Sequence, residues 1–139
     1  PIGAFIASNK VASAFSSGDH GSTFGGNPLA SAAANAVLDE IEDAGLLENV
    51  QKTGEYLIQA LLGLKEKYPK LITAVRGKGL IVGAELTLPG REIVNSCLEK
   101  GLIINCTSGN VLRFVPPLII KPVHVDEMVA VLDEVLSKI

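Results

Sequence analysis

The sequence is sparing with the groups that build metal and redox centres: in 139 residues it has two cysteines, Cys97 and Cys106, and two histidines, His20 and His124. The cysteines are spaced neither as metal ligands nor as a redox pair, and each histidine lacks a companion ligand. No metal site is expected, and both thiols read as buried and reduced, as in a cytoplasmic protein. Positive charge is also scarce. The 12 Lys+Arg stand against 15 Asp+Glu, a formal net charge of −3, and no stretch gathers them into the basic patch that binding DNA or RNA requires. Long apolar runs are missing as well, since Asp39, Glu40, Lys65, Glu66, Glu85 and Arg113 interrupt every candidate for the roughly 20 residues that span a bilayer. Nucleic acid and membrane are therefore excluded as expected partners. No Ser-His-Asp set or carboxylate pair stands out, and no basic segment leads into an apolar one of signal-peptide type. The first residue is Pro1 rather than Met, so the chain is expected to continue a longer polypeptide.

What is present is apolar. The hydrophobic share is 47%, the charged share 19% and the mean hydropathy +0.37, high for a chain long enough for one compact domain or for a small domain plus a piece of a neighbour. The excess is expected to form an interface with the rest of the same polypeptide and with a second subunit.

Along the chain, Ile2 to Ala7 is a short apolar segment, followed by a helix-compatible stretch carrying Val11, Ala14 and Phe15. Ser16 to Asn27 is a tract of small and polar residues that fits neither a regular helix nor a central strand, and reads as a loop. Asn27 before Pro28 has the form of an N-cap followed by the first helical residue. The alanine-rich run to Asp43 then places Leu29, Ala32, Ala33, Ala36, Val37 and Ile41 on one side, with Gly45 as a stop. So many small side chains imply close backbone packing. A second helix is expected from Leu46 to Tyr68, ended by Pro69. Ile72 to Val75 and Leu80 to Leu86 read as strands joined by the turn Arg76-Gly77-Lys78-Gly79. Pro89 to Lys100 reads as a helix burying Ile93, Val94, Cys97 and Leu98, with Gly101 as its cap. Leu102 to Cys106 and Val111 to Val115 are two further strands, with hairpin-turn chemistry at Thr107-Ser108-Gly109-Asn110. A last amphipathic helix carries Val125, Met128, Val129, Leu132, Val135, Leu136 and Ile139.

Three constellations bear on chemistry. His20 to Pro28, H-G-S-T-F-G-G-N-P, offers two adjacent hydroxyls and several backbone N–H groups ahead of a helix N-terminus, which suits a phosphate. The same composition also serves a plain interdomain turn, and no lysine follows the last glycine as in a Walker loop. Gly77-Lys78-Gly79 fails as a dinucleotide fingerprint because the next glycine, Gly83, comes one place late and the segment leads into a strand. Arg113 interrupts an apolar strand just before Pro116 and Pro117, on the face of Val111 and Val115, so its guanidinium either stands in solvent at an edge or holds an anion. Lys10, in Ser8-Asn9-Lys10, reads as a solvated surface residue.

Four landmarks in order resemble the class III pyridoxal-phosphate-dependent aminotransferases: P-I-G-A at Pro1 to Ala4, H-G-S-T-F-G-G-N-P-L-A at His20 to Ala30, R-G-K-G-L at Arg76 to Leu80, and N-V-L-R-F-V-P-P-L at Asn110 to Leu118. Leu86 to Arg91 and Gly101 to Thr107 most resemble the members that act on N-acetylornithine, with the ornithine-acting members close. The resemblance implies an α/β fold of the aspartate-aminotransferase type, with a small domain whose helices pack on a short, mostly antiparallel sheet. It divides the chain into the tail of a large cofactor-binding domain over 1–27, an interdomain helix over 28–45 and a small C-terminal domain over 46–139. It also implies amino transfer from N-acetylornithine to 2-oxoglutarate, in arginine biosynthesis in the cytoplasm, by a homodimer that uses pyridoxal phosphate. Residue by residue, Ser22 and Thr23 match the pair that reaches the cofactor phosphate from the neighbouring subunit, and Arg113 matches the arginine that holds a substrate carboxylate. The family's Schiff-base lysine lies a few residues before P-I-G-A, and Lys10 is no substitute. The 139 residues alone are therefore expected to be inactive. Outside the enzyme class, a phosphate-binding module and a dimerisation domain without a site of its own stay open.

Overall fold

Residues 2–139 are described by a computed structural model, which forms two units, one ending at Ala44 and one running Gly45–Ile139. In the first, the expected helix shrinks to a single turn, α1 (Asn9–Ala12), with Ala14 and Phe15 beyond it. Ser16 to Asn27 is a chain of turns, and helix α2 (Pro28–Asp43) starts as the sequence indicates. Asn27 has extended backbone and its Oδ1 accepts the N–H of Ala30 at 2.9 Å, while Pro28 occupies the first helical position, where its missing N–H costs nothing. No described residue of this unit is buried.

The second unit begins with α3 (Leu46–Lys67), set off from α2 by Gly45 in left-handed conformation. Leu57, Leu61 and Leu64 recur at helical spacing and are buried, each worth about 1.5–3 kcal/mol of transfer free energy. Strands β1 (Ile72–Lys78) and β2 (Ile81–Leu86) form a hairpin tighter than expected, since the ladder runs through Arg76, Gly77 and Lys78 and leaves only Gly79 and Leu80 as the connection. A bulge between Ile72 and Ala74 inserts one residue into β1. Because side chains alternate along a strand, the extra residue reverses the faces beyond it. Ile72 points to the core, but Ala74, Arg76 and Lys78 share the opposite face with Glu85, Gly83 and Ile81.

Helix α4 (Arg91–Glu99) buries Ile93 and Cys97, whereas Leu98, expected inside, is exposed. Burial pushes the Cys97 thiol up, and Cys106 is only half-buried. After Gly101, Leu102 to Ile104 run irregularly before β3 (Asn105–Thr107), so this strand is shorter than its apolar run suggests. A three-residue loop with positive φ at Ser108 and Gly109 leads to β4 (Val111–Phe114). The sheet is wholly antiparallel in the order β1-β2-β4-β3. Helix α5 (Pro122–Leu136) buries Val125, Met128, Leu132, Val135 and Leu136, while Ile139 lies beyond its end in solvent.

All the buried apolar side chains of the sheet, among them Ile72, Val82, Ala84, Leu86, Leu112 and Phe114, point to the side covered by the helices. Helix α3 lies against β1 and β2, α4 against β3, and α5 packs on α3 and α4. Polar ties fix this layer. The Tyr68 hydroxyl donates to Asp133 Oδ1 at 2.8 Å, and Asn49 Nδ2 donates to the carbonyls of Leu118 and Ile120, holding the segment that follows β4 onto α3. The approach of α3 to the hairpin is closest where Gly54 meets Gly79. A Cβ on Gly54 would collide with the Gly79 carbonyl.

Two stability outcomes follow. Alanine at an open helical position gains up to about 1 kcal/mol over glycine, and Gly63, with nothing near its missing Cβ, should raise the unfolding midpoint as Gly63→Ala. Gly54→Ala offers the same propensity gain but drives a methyl into backbone, which costs about 1–3 kcal/mol or more. Its midpoint in urea should fall, and an equal or higher midpoint would show that α3 does not seat on the hairpin in this way. Glu134 generates the second outcome. Hydrogen bonds from Lys100 (2.6 Å) and then Lys138 (2.9 Å) hold its carboxyl down to about 2, against an ordinary 4.5. A carboxylate depressed in the folded state stabilises above its unfolded value and loses that contribution as pH falls through the folded one. Wild type should therefore exceed Glu134→Gln in urea midpoint at pH 7, with the gap closing progressively below pH 4.5 towards about 2. A gap that is unchanged at pH 2.5 would contradict the pairing.

Candidate cofactor and substrate contacts

In the first unit, the loop from Gly21 to Asn27 turns twice, with the Gly25 N–H donating to the Ser22 carbonyl at 3.3 Å and the Asn27 N–H to the Phe24 carbonyl at 3.4 Å. Asn27 Nδ2 adds a second bond to Phe24 O at 2.8 Å, which locks the loop against the start of α2. The turn folds tightly over Ser22, since a Cβ on Gly25 would lie 3.0 Å from the Ser22 Cβ. Ser22 and Thr23 are exposed, and among the described residues neither hydroxyl makes a hydrogen bond. Some of the backbone donors around the loop are used internally. Gly25 and Asn27 spend theirs on the turns, Ala30 spends its own on the cap, and Pro28 has none. The N–H groups of Gly21, Ser22, Thr23, Phe24 and Gly26 make no hydrogen bond among the described residues, so the loop offers an anion backbone donors as well as the two side-chain hydroxyls.

In the second unit, Arg113 stands on the face of the sheet turned away from the helices, near the end of β4, where Pro116 and Pro117 follow. Strand register puts it directly opposite Gly83 on one side and Asn105 on the other, and Gly83 is in turn opposite Arg76. Arg76, Gly83, Arg113 and Asn105 thus form one row across all four strands. Arg76 is engaged by Glu85 in an ion pair. Arg113 makes no ion pair among the described residues; its Nε donates to Asn105 Oδ1 at 3.2 Å. Gly83 leaves the space between the two arginines without a side chain, and a Cβ there would come 3.0 Å from Val111 Cγ1. Ile103, Ile104, Asn105, Arg113 and Val115 line a shallow hollow of about 250 Å³. A second hollow, of about 590 Å³ between α4 and α5, is lined by mixed charges such as Glu92, Glu99 and Lys138 and contains none of these groups.

Ser22 and Thr23 therefore share one turn, while Arg113 belongs to the other unit. Arg76 and Asn105 were not singled out by the sequence. Arg76 was hidden by assigning it to a turn and by the bulge, which reverses the alternation counted from Ile72. Asn105 was missed because a four-residue turn over Thr107 to Asn110 would pair Arg113 with Ile104, whereas the three-residue loop pairs it with Asn105.

The chain thus carries an exposed hydroxyl pair in one unit and, in the other, an arginine without an ion pair among the described residues. The chain belongs to the family described as aminotransferase class-III, which matches residues 1–136. Among its relatives, the acetylornithine aminotransferase of Methanocaldococcus jannaschii is 50% identical over the whole chain, and that of Caldanaerobacter subterraneus subsp. tengcongensis 53% identical. The chain spans 35% of the length of each. A crystal structure of acetylornithine aminotransferase from Elizabethkingia anophelis superposes with a TM-score of 0.85 at 34% identity, over 96% of this chain and 34% of that one. The fold is accordingly α/β, as expected, part of the architecture of pyridoxal-phosphate aminotransferases.

The family's cofactor is pyridoxal phosphate, and the loop residues suit its phosphate. Ser22 and Thr23 present two adjacent hydroxyl donors free of internal bonds, no acidic side chain stands between Gly21 and Asn27, and Gly25 closes the turn behind them.

Proposed function

We propose that this chain is the C-terminal part of an aminotransferase that moves the amino group of N-acetylornithine to 2-oxoglutarate, a step of arginine biosynthesis. The observation that carries this reading is the identity of 50% and 53% to two acetylornithine aminotransferases along the whole chain, together with Arg113 unpaired on an open sheet face. In this reading 1–27 closes a large cofactor-binding domain, 28–45 is an interdomain helix and 46–139 is the small domain. The enzyme is a cytoplasmic homodimer. The exposed apolar residues of the first unit, such as Phe24 and Leu29, face the rest of the polypeptide or the second subunit. No lysine among these residues takes the Schiff-base role, so the 139 residues alone do not catalyse transfer.

Bound pyridoxal phosphate would supply the electron sink that stabilises negative charge at the carbon bearing the transferred amino group. The chain's own residues bind and orient. Ser22 and Thr23 donate hydrogen bonds to the phosphate, and Arg113 holds a substrate carboxylate, a group that amino donor and 2-oxoacid both carry. A guanidinium is suited to this because its coplanar N–H groups match the two oxygens of a carboxylate, which fixes direction as well as distance.

Arg113→Ala in the complete enzyme should cost on the order of 2 kcal/mol of carboxylate binding, about 30-fold, for both N-acetylornithine and 2-oxoglutarate. Single-turnover titrations with each substrate measure it, with ornithine as a comparison donor. Unchanged affinity for both would leave Arg113 a strand-edge residue, and faster transfer from ornithine would shift the substrate assignment to the ornithine-acting members.

Thr23→Val keeps shape and branching while removing one hydroxyl donor to a phosphate dianion, a loss of about 1.5–3 kcal/mol, and cofactor retention should weaken about 10- to 100-fold. Heterodimers of this variant with one lacking the Schiff-base lysine would tell which subunit the hydroxyl serves. If Thr23 acts across the dimer, the site with the intact lysine regains wild-type cofactor affinity. If that site binds no better than the Thr23→Val homodimer, the assignment across the dimer is wrong.

A further inference from the structure

An arginine offers a carboxylate two different edges, the side formed by Nε and one Nη and the end formed by the two Nη groups. Which edge it presents decides where the carboxylate sits. In this structure one edge is already taken. Arg113 and Asn105 are direct register partners on β4 and β3, where cross-strand side chains stand about 4.5–5.5 Å apart at Cβ. The Arg113 Nε–H is bonded to Asn105 Oδ1 at 3.2 Å. On the opposite flank is Gly83, which has no side chain to compete for the guanidinium, and the nearest acidic group across the sheet, Glu85, is taken by Arg76.

From this geometry we infer that Asn105 is a positioning residue for substrate recognition: by holding Nε it turns the terminal Nη pair of Arg113 outward as the carboxylate-binding edge. The inference rests on the proposed role of Arg113 as the carboxylate contact. Asn105 suits the task for three chemical reasons. Its oxygen accepts the Nε–H without carrying a charge, so it does not neutralise the guanidinium as an aspartate would. Its short side chain, fixed by the register to one strand position, leaves the bond little freedom. Its Nδ2, which makes no hydrogen bond among the described residues, is left pointing away from Nε as a further neutral donor. Ile103, Ile104 and Val115 line the same hollow and offer the guanidinium no competing acceptor from their side chains.

The test replaces the amide oxygen without changing side-chain size, as Asn105→Leu in the complete, cofactor-loaded enzyme, alongside Arg113→Ala and the double variant. Loss of orientation should raise the KM for 2-oxoglutarate about tenfold, equivalent to about 1.4 kcal/mol, with kcat at saturation within about twofold. In the Arg113→Ala background the same change should have no further effect. A second readout needs no turnover. With 15N-labelled arginine, the Arg113 Nε–H resonance should be slow to exchange with solvent in the wild type, become fast-exchanging in Asn105→Leu, and keep its chemical shift when glutarate is added to the wild type, because glutarate binds at the Nη end. If Arg113→Ala weakens carboxylate binding while Asn105→Leu changes neither KM nor Nε–H exchange, the positioning role is overturned and the role of Arg113 stands. An equal Asn105→Leu effect with and without Arg113 would overturn it as well, since that is the signature of a general packing defect. If Arg113→Ala leaves carboxylate binding intact, the underlying role of Arg113 fails and the inference falls with it.

Discussion

Everything placed on the second unit depends on the sheet being covered from one side only. That one-sidedness is enforced where α3 seats on the β1-β2 hairpin, with Gly54 so close to Gly79 that not even a methyl fits between them. With backbone touching backbone there, Leu57, Leu61 and Leu64 reach the inner face of the sheet, and α5 closes the layer over them. The outer face needs no apolar partner from its own helices. It is therefore free to carry two arginines, a glutamate and an asparagine whose charge or hydrogen bonding would be costly to bury.

The second constraint is parity. A strand offers two faces, and a single inserted residue decides which side chains share one. Without the bulge near Thr73, Arg76 would point into the core with Ile72, where an unpaired guanidinium is not tolerated. With it, Arg76 meets Glu85 outside, and the negative charge nearest Arg113 across the sheet is already satisfied. The three-residue loop at Ser108 to Asn110 does the same for the other edge by pairing Asn105 with Arg113. The Asn110 side chain, which donates to the Leu86 carbonyl at 2.9 Å, anchors that loop to β2.

Legibility in the sequence tracked how local the cause was. The start of α2 could be read because a cap is decided by two adjacent residues, Asn27 and Pro28, and so could the face of Arg113, which needs only the alternation from Val111 to Val115. The ends of α3 and α4 were placed to within about a residue, since Pro69 and Gly101 stop them chemically. The extent of β1 was misjudged because glycines at 77 and 79 look like a turn, whereas Gly77 is a strand residue and only Gly79 turns the chain. Leu98 was misjudged because helical spacing gives the apolar stripe but not its width against α5. The row Arg76, Gly83, Arg113, Asn105 was invisible for a deeper reason. It is a property of register across four strands, and register depends on a bulge and loop lengths that no single segment displays.

The charges on the two units also indicate a division of labour. The loop residues Ser22 and Thr23 are neutral, and no cation stands between Gly21 and Asn27, so they can direct a phosphate dianion but contribute little to neutralising it. Arg113 is different. It is a single positive charge, held at Nε and paired with no carboxylate of its own unit. One such charge suits one carboxylate at a time, and on the proposed reading both N-acetylornithine and 2-oxoglutarate carry one. The second carboxylate of 2-oxoglutarate finds no further free arginine in the row, because Arg76 is committed to Glu85. This face therefore recognises a carboxylate of whichever substrate is bound, and discrimination between the substrates falls to groups outside the row.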